Sequence, residues 1–169
     1  GAGGEASYHF EEIATVAKQK GLSTKEQVYR EMPYIQELFR YNLEQLRNKI
    51  GLPMRIVASH GDFVNRRLKA PNWLLLEDTS FRRDVGVELE VYDNIFMKYV
   101  TSRHADTHYP KFWQPTDPLA AINNEEPVVY LLVHPRHWRV NILVNVADDI
   151  RRVWEDIAYR LRIKNNKMI

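Results

Sequence analysis

Three of the six histidines in this chain stand at the ends of predicted strands. His9, His60 and His134 each close a short segment that is rich in apolar residues, and polar residues follow. Because parallel strands bring their carboxyl ends to one edge of a sheet, we expect these imidazoles to share a pocket. Imidazole is a common ligand of zinc and similar divalent ions. The positions therefore indicate a divalent-metal site, with zinc the expected ion, although a single histidine more often packs or lies on the surface.

Glu12 is the carboxylate nearest to His9 on the predicted helix face. If a helix begins near Tyr8, the two residues share one face at a spacing of three, which suits a common metal or an oriented imidazole. The alternative is that Glu12 is a first-turn acid that complements the helix dipole. The chain has no glycine-rich phosphate loop, nucleophile elbow or HExxH motif. A serine hydrolase is also disfavoured, because Ser59 directly precedes His60 and so cannot pair with it.

Strands and helices are predicted to alternate. The predicted strands cover 5–9, 55–59, 87–91, 99–102 and 128–133, and the predicted helices cover 10–20, 23–50, 71–76 and 147–163. Gly21 is a plausible helix stop, and residues 23–26 (STKE) form a capping-box pattern. Pro33 is expected to kink or restart the second helix. After it, an apolar stripe at helical spacing is expected to face the core; it consists of Ile35, Leu38, Phe39, Leu43, Leu46 and Ile50. The alternation favours parallel βαβ units and an α/β fold.

Two predictions concern burial. The segment 128–133 is an unbroken apolar run, so we expect it to be buried on both faces. The last helix is expected to face inward with one apolar stripe. That stripe consists of Ile150, Val153, Trp154, Ile157 and Leu161. The proline-rich stretch 103–118 is predicted to be a loop.

The composition limits the classes of function. At 169 residues the chain is long enough for a single domain with a core, which we expect to span residues 1–169. A formal charge of +2 is too small to favour nucleic acid as a partner. The absence of cysteine excludes disulfides, thiol catalysis and Cys-ligated zinc. No apolar stretch approaches the roughly 20 residues that span a bilayer, and we expect a cytoplasmic protein, with a lost leader as the alternative.

Three segments keep the order and spacing of motifs in a known family. They are GEASYHFEE (4–12), ASHGD (58–62) and LLVHPRHW (131–138). The segment 4–12 resembles the part of polysaccharide deacetylases of the NodB-homology type that carries the first metal-binding histidine. The segment 58–62 is similar to the next strand-end motif of a subgroup found among sugar-modifying and glycan-biosynthesis proteins. The segment 131–138 is similar to the late strand of that subgroup, which ends in a catalytic histidine.

This resemblance implies a distorted (β/α) barrel of the polysaccharide deacetylase type, with its site at the carboxyl ends of the strands. It also implies metal-dependent removal of an acetyl or related acyl group from an amino sugar or polysaccharide. His9 would be a metal ligand, and His134 would be the general acid that protonates the leaving amine. The family usually has a second ligand histidine four residues after the first, where this chain has Ile13. We infer that His60 or Glu12 takes that place.

The aspartates of the family, a metal ligand and a general base, lie on an earlier strand, and nothing before Glu5 can supply them. We therefore expect the barrel to be incomplete, with the chain forming the later part of the domain and having little activity by itself. Asp62 is the candidate to take over the catalytic carboxylate role. For substrate binding we name Arg103, which suits an anionic group, and Trp138, which suits a sugar ring. The alternatives are surface ion pairing for the arginine and core packing for the tryptophan.

Two hypotheses therefore remain open. The chain is either a metal-dependent carbohydrate deacetylase, or a non-catalytic carbohydrate-binding or interaction module that kept the fold and lost the chemistry. Both have a carbohydrate as the partner and neither involves nucleic acid. Bound metal would favour the first hypothesis.

Overall fold

The computed structural model describes residues 6–107, 111–138 and 141–166. The chain divides into two compact units. The first unit contains the residues up to 93 together with those from 157 onward, and the second contains residues 94–156. The prediction of one domain over residues 1–169 stays a prediction.

The first unit is built on a small parallel sheet. Its elements are β1 (Tyr8–Phe10), α1 (Glu12–Lys20), α2 (Lys25–Ile50), β2 (Ile56–Ser59), α3 (Phe63–Leu68), a 3-10 helix (Asn72–Leu76), α4 (Thr79–Asp84) and β3 (Leu89–Glu90). The strand order is β1-β2-β3, and both pairings are parallel. The register sets His9 beside Ala58 and Val57 beside Glu90. Parallel pairing through helical crossovers is the arrangement that the alternating sequence pattern predicted.

The core of this unit lies between the sheet and the helices. The fully buried side chains include Phe10, Ile13, Ile35, Phe39, Leu43, Val57 and Leu75. The predicted stripe of the second helix is therefore largely correct, although its last member, Ile50, is exposed. Pro33 lies inside α2 and does not end it. The capping box is one residue later than predicted, because Thr24 is the N-cap and exchanges hydrogen bonds with Gln27.

The second unit has its own three-stranded sheet. Its elements are α5 (Asn94–Met97), β4 (Ser102–Asp106), β5 (Trp113–Gln114), α6 (Pro118–Asn123), β6 (Val129–Leu132), a 3-10 helix (Pro135–Trp138) and the first part of α7 (Ile142–Asn166). The strand order is β5-β4-β6, with β4 parallel to β6 and antiparallel to β5. Strands β4 and β5 fall largely within residues 103–118, so the prediction of a loop there was wrong. The reason is that β4 buries polar side chains, His104 and Asp106, which an apolar pattern does not detect.

Both predictions about burial need correction. Within the described residues β6 pairs with β4 alone, and Leu131 and Val133 are exposed, so this strand is not buried on both faces. The predicted inward stripe of α7 is also exposed, with Trp154 at 65%. The helix instead buries Tyr159, whose hydroxyl donates to the carbonyl of Leu22. Periodicity shows that a helix has an apolar face, but other elements decide which face is covered.

The described strands form no closed barrel, and what the structure shows is a mixed α/β fold with two small sheets. In the described part of the chain, no helix is long and apolar enough to cross a membrane.

Glu90 joins the carboxyl ends of β2 and β3, and we expect its replacement to destabilise the first unit. It is 2% exposed, and its two oxygens accept hydrogen bonds from the backbone N–H groups of Ser59 and Tyr92, at 2.9 and 2.8 Å. Burial raises the pKa of its carboxyl group. In Glu90→Gln an amide NH2 faces one of these N–H groups, so we expect a loss of roughly 1–3 kcal/mol in the free energy of unfolding.

Denaturant-induced unfolding measures this loss. Glu88→Gln is the matched control, because Glu88 is exposed and pairs only with exposed Arg55 in the described structure. The control should change stability by roughly 0–1 kcal/mol. Equal stability of the two variants would contradict the role given to Glu90.

Candidate functional site

The first cluster is a pair of histidines in the first unit. His9 Nε2 and His60 Nδ1 are 2.9 Å apart, and the two rings meet edge to face. The pairing of β1 and β2 continues one step beyond the strands, because the N–H of His60 donates to the carbonyl of Phe10 at 2.7 Å. That contact holds the backbone of His60 against the end of β1. The structure thus brings together two of the imidazoles that the sequence placed at a common sheet edge.

The spacing of this pair is close to that of two ligands on one ion. Zinc–nitrogen bonds of about 2.0–2.1 Å at a tetrahedral angle put two ligand nitrogens roughly 3.3 Å apart. At 2.9 Å the two ring nitrogens are hydrogen-bonded, so a shared ion would require the rings to separate by about 0.4 Å. The pair therefore offers two imidazole ligands.

Glu12 is not gathered with the two histidines into a ligand set. Its buried carboxylate accepts hydrogen bonds from the Tyr8 hydroxyl and from Asn42 Nδ2, the latter at 2.9 Å. Burial, followed by the bond to Glu12, raises the pKa of Tyr8. The observed role of Glu12 is thus to join β1 to α2, and its role as a metal ligand stays a prediction.

Asp62 is also engaged. It is the N-cap of α3, and its Oδ1 accepts from the N–H of Val64 at 2.8 Å. Its other oxygen, Oδ2, lies 2.7 Å from Lys18 Nζ in an ion pair. Asn65 completes the capping box by accepting from the N–H of Asp62 at 3.0 Å. These contacts are structural, and the catalytic role of Asp62 stays a prediction.

The second cluster is in the second unit and contains Asp106, His134 and His137. Parallel pairing sets Ala105 beside Leu132, so the end of β4 lies next to the residues that follow β6. Asp106 Oδ1 lies 2.6 Å from His134 Nδ1 and 3.2 Å from His137 Nδ1. Its Oδ2 accepts from the N–H of His134 at 2.7 Å and from Trp138 Nε1 at 2.8 Å. One buried carboxylate thus organises three aromatic side chains.

Hydrogen bonding keeps Asp106 ionised. Burial by itself would raise its pKa, but bonds from the His134 ring and backbone and from the Trp138 indole, together with the charge of His137, lower the pKa to about 2. An ionised carboxylate in this position can orient an imidazole or help to bind a cation.

The three side chains can hold a metal ion. One possible ligand atom from each lies within 4.8 Å of the others. Two imidazoles and one carboxylate form a donor set that suits zinc and other divalent first-row metals. The 3.2 Å between His137 and Asp106 matches the spacing of co-ligands, whereas the 2.6 Å between His134 and Asp106 is a hydrogen bond. Metal binding would therefore require the His134 ring to move away from the carboxylate by about 0.7 Å.

The predicted substrate residues lie in the second unit. Arg103 is exposed, with its guanidinium carbon 5.3 Å from the centre of the Tyr130 ring. Trp138 is exposed as well, and its ring centre is 5.8 Å from that of Trp113. Both are accessible to a ligand, and their carbohydrate-binding role stays a prediction.

The remaining histidines differ in role. His104 is buried in β4 and its Nδ1 lies 2.8 Å from the carbonyl of Thr116, so it has a structural role. His108 lies outside the described residues. Neither Asp106 nor His137 was among the site residues predicted from the sequence. Two spacings in the sequence could have indicated these residues. Asp106 follows Ser102 and His104 at a spacing of two, which places all three on one face of a strand. His137 follows His134 by three residues, which places both on one side of a helical turn.

No family model, curated protein or solved structure matches this chain. The two histidine clusters and the three sequence motifs are the observations on which a functional proposal depends.

Asp106→Asn should destabilise the second unit in a pH-dependent way. An amide in this position would point donors at groups that are themselves donors, so near neutral pH we expect a loss of roughly 1.5–3 kcal/mol. Because the pKa of Asp106 is lowered to about 2, its stabilising effect is complete above the unfolded-state pKa and is lost as the pH falls through the folded value. The stability difference between wild type and variant should therefore shrink below a pH of about 4.

Urea unfolding across this pH range measures the difference. Asp117→Asn is the matched control, because Asp117 is an exposed N-cap and Asn caps a helix equally well. A difference between wild type and Asp106→Asn that does not change with pH would refute the assignment of an ionised Asp106.

Proposed function

We propose that this chain belongs to a metal-dependent hydrolase that removes an acyl group, such as acetyl, from an amino sugar or polysaccharide. The observation that best supports the proposal is the pairing of His134 with the buried carboxylate of Asp106 at 2.6 Å. His134 is the residue that the resemblance to polysaccharide deacetylases makes the general acid. An imidazole held by a carboxylate is the arrangement that positions a histidine for proton transfer.

His134 has the features that this role needs. An amine leaves a tetrahedral intermediate readily only when it is protonated, so an acid must deliver a proton to its nitrogen. With Nδ1 facing Asp106, the other nitrogen, Nε2, is the one from which a proton would pass to the leaving amine. The side chain is 43% exposed, so a substrate can approach it. The ionised Asp106 holds the imidazole in one orientation, with Nε2 directed away from the carboxylate.

In the same proposal His9 and His60 are the metal ligands of the first unit. Their nitrogens lie 2.9 Å apart at the carboxyl edge of a parallel sheet, and His9 is exposed. A divalent ion, when bound, would polarise an acyl oxygen and activate a water molecule. The ion we propose is zinc, and the fold we propose is the incomplete (β/α) barrel of the deacetylase type, for which the parallel β1-β2-β3 sheet is the supporting feature.

A specific observation favours a second candidate, a carbohydrate-binding module without catalytic activity. Asp62 and Glu12 are the two carboxylates that were predicted to lie near the histidine pair. Both already have hydrogen-bonding or ion-pair partners. Asp62 pairs with Lys18, and Glu12 accepts from Tyr8 and Asn42. Neither is poised to take a proton from water, as a general base must be.

His134→Ala tests the proposal. In the full-length protein we expect it to lower turnover by roughly 10²–10⁴-fold, the usual contribution of a positioned acid, while the metal content stays unchanged. His9→Ala should instead lower the metal content. The measurements are acetate release from N-acetylated chitooligosaccharides in the presence of zinc, and metal stoichiometry by elemental analysis.

The other outcomes are equally informative. Loss of metal in His134→Ala would reassign His134 as a ligand together with Asp106 and His137. Unchanged turnover with lowered stability would make it a structural residue. Full-length wild-type protein that binds the oligosaccharide but releases no acetate, with or without zinc, would support the module without catalytic activity.

A further inference from the structure

The first unit contains a cavity of about 420 Å³ beside His60, and we infer that it binds a saccharide that carries a carboxylate or phosphate group. The inference takes the carbohydrate class from the proposed function and the charge from the cavity itself. The cavity lies at the carboxyl end of β2, between α3 and the 3-10 helix that follows. Its volume falls within the roughly 300–1,000 Å³ that is usual for small-molecule sites.

The charge of the cavity wall is positive. Arg66 and Lys69 line it, and both are exposed. In the described part of the chain, neither has a carboxylate partner, whereas the acidic Asp62 in the same wall is already neutralised by Lys18 at 2.7 Å. Arg66 is in the last turn of α3 and Lys69 caps the helix, so both lie at its carboxyl end and line the same cavity. A carboxylate or phosphate in the cavity would complement them.

The backbone of Lys69 supports a role for its side chain. Lys69 is the C-cap of α3 and has a φ of 51°, in the left-handed region. Glycine is preferred in this position because it has no Cβ atom to clash with the backbone, and asparagine is tolerated because its short polar side chain can hydrogen-bond locally. Lysine ends the helix less favourably than glycine would, but it adds a cation to the cavity wall. Strained residues of this kind concentrate at functional sites.

Aromatic side chains supply the rest of the recognition surface. Trp73 and Tyr92 line the cavity, and Trp73 is partly exposed. Aromatic rings provide large, rigid apolar faces, which suit the apolar face of a sugar ring. Cations for the anionic substituent and aromatic faces for the ring are the combination that a charged saccharide requires.

The floor of the cavity is rigid and already formed. Asn72 is buried, and it accepts from the N–H of Ala14 at 3.1 Å and donates to the carbonyl of His60 and to Asn65 Oδ1 at 2.6 and 3.0 Å. The polar atoms of this floor are therefore used by the fold, which leaves recognition to the cations and aromatics. Since His60 lines the same cavity, a bound saccharide lies next to the histidine pair.

Binding of small sugars to the purified full chain tests the inference. The probes are N-acetylglucosamine 6-phosphate and glucuronic acid, with neutral N-acetylglucosamine and inorganic phosphate for comparison. Titration calorimetry should show that the anionic sugars bind at least about tenfold more tightly than the neutral sugar or phosphate alone. Arg66→Gln and Lys69→Asn should each remove roughly tenfold of this affinity.

The unfolding midpoint of each variant separates a loss of affinity from a loss of folding. Asn tolerates the left-handed backbone, so Lys69→Asn should keep or raise the unfolding midpoint while it loses affinity. Trp73→Leu should weaken binding of charged and neutral sugars alike. Arg30→Gln is the matched control, because Arg30 is an exposed cation on α2 that does not line the cavity.

Equal affinity for charged and neutral sugars, or unchanged affinity in both Arg66→Gln and Lys69→Asn, would overturn the inference. If inorganic phosphate binds as tightly as N-acetylglucosamine 6-phosphate, the sugar ring adds no affinity and the assignment of a saccharide ligand is wrong. Anionic sugar binding by a full-length protein that releases no acyl group would support the inference and count against the proposed hydrolase. Acyl release from neutral sugars with no preference for charge would support the hydrolase and overturn the inference.

Discussion

Parallel pairing brings the carboxyl ends of neighbouring strands side by side, and both histidine clusters depend on it. In the first unit the pairing of β1 with β2 sets His9 against His60. In the second unit the pairing of β4 with β6 sets Asp106 against His134. A register shift of one residue would turn these side chains to the opposite face of the sheet and separate both pairs. The side-chain chemistry is thus a consequence of backbone hydrogen bonding.

Four carboxylates near the two histidine clusters differ in the groups that they bind. In the described structure, Glu12 and Glu90 are buried acceptors that join elements of the first unit, and Asp62 caps a helix and neutralises a lysine. Asp106 alone among these four contacts imidazole rings, and its lowered pKa keeps it charged. The candidate site of the second unit is therefore at Asp106. In the first unit the groups available to bind a metal or ligand are two imidazoles and the cations of the cavity wall.

The Asp106–His134 contact also sets a choice between two functions. At 2.6 Å the imidazole is hydrogen-bonded and oriented, which suits proton transfer. Co-ligation of one ion would require the two atoms to lie roughly 3.3 Å apart. The same side chains therefore cannot be an oriented acid and a metal-ligand pair at once, and the metal content of His134→Ala relative to wild type separates the two roles.

The sequence alone determined most of the strands and helices up to residue 91, the stop at Gly21, most of the buried stripe of α2 and the positions of His60 and His134 just after strands. These features are local, because propensity and periodicity within a few residues decide them. The tertiary structure decided the rest. Strand β4 forms because it pairs with two other strands, and β6 is exposed because it has one partner in the described sheet. Helix α7 buries Tyr159, whose hydroxyl donates to the carbonyl of Leu22. Asp106 became a site residue only when β6 placed His134 within hydrogen-bonding distance, and contacts between residues this far apart in the chain leave no local pattern.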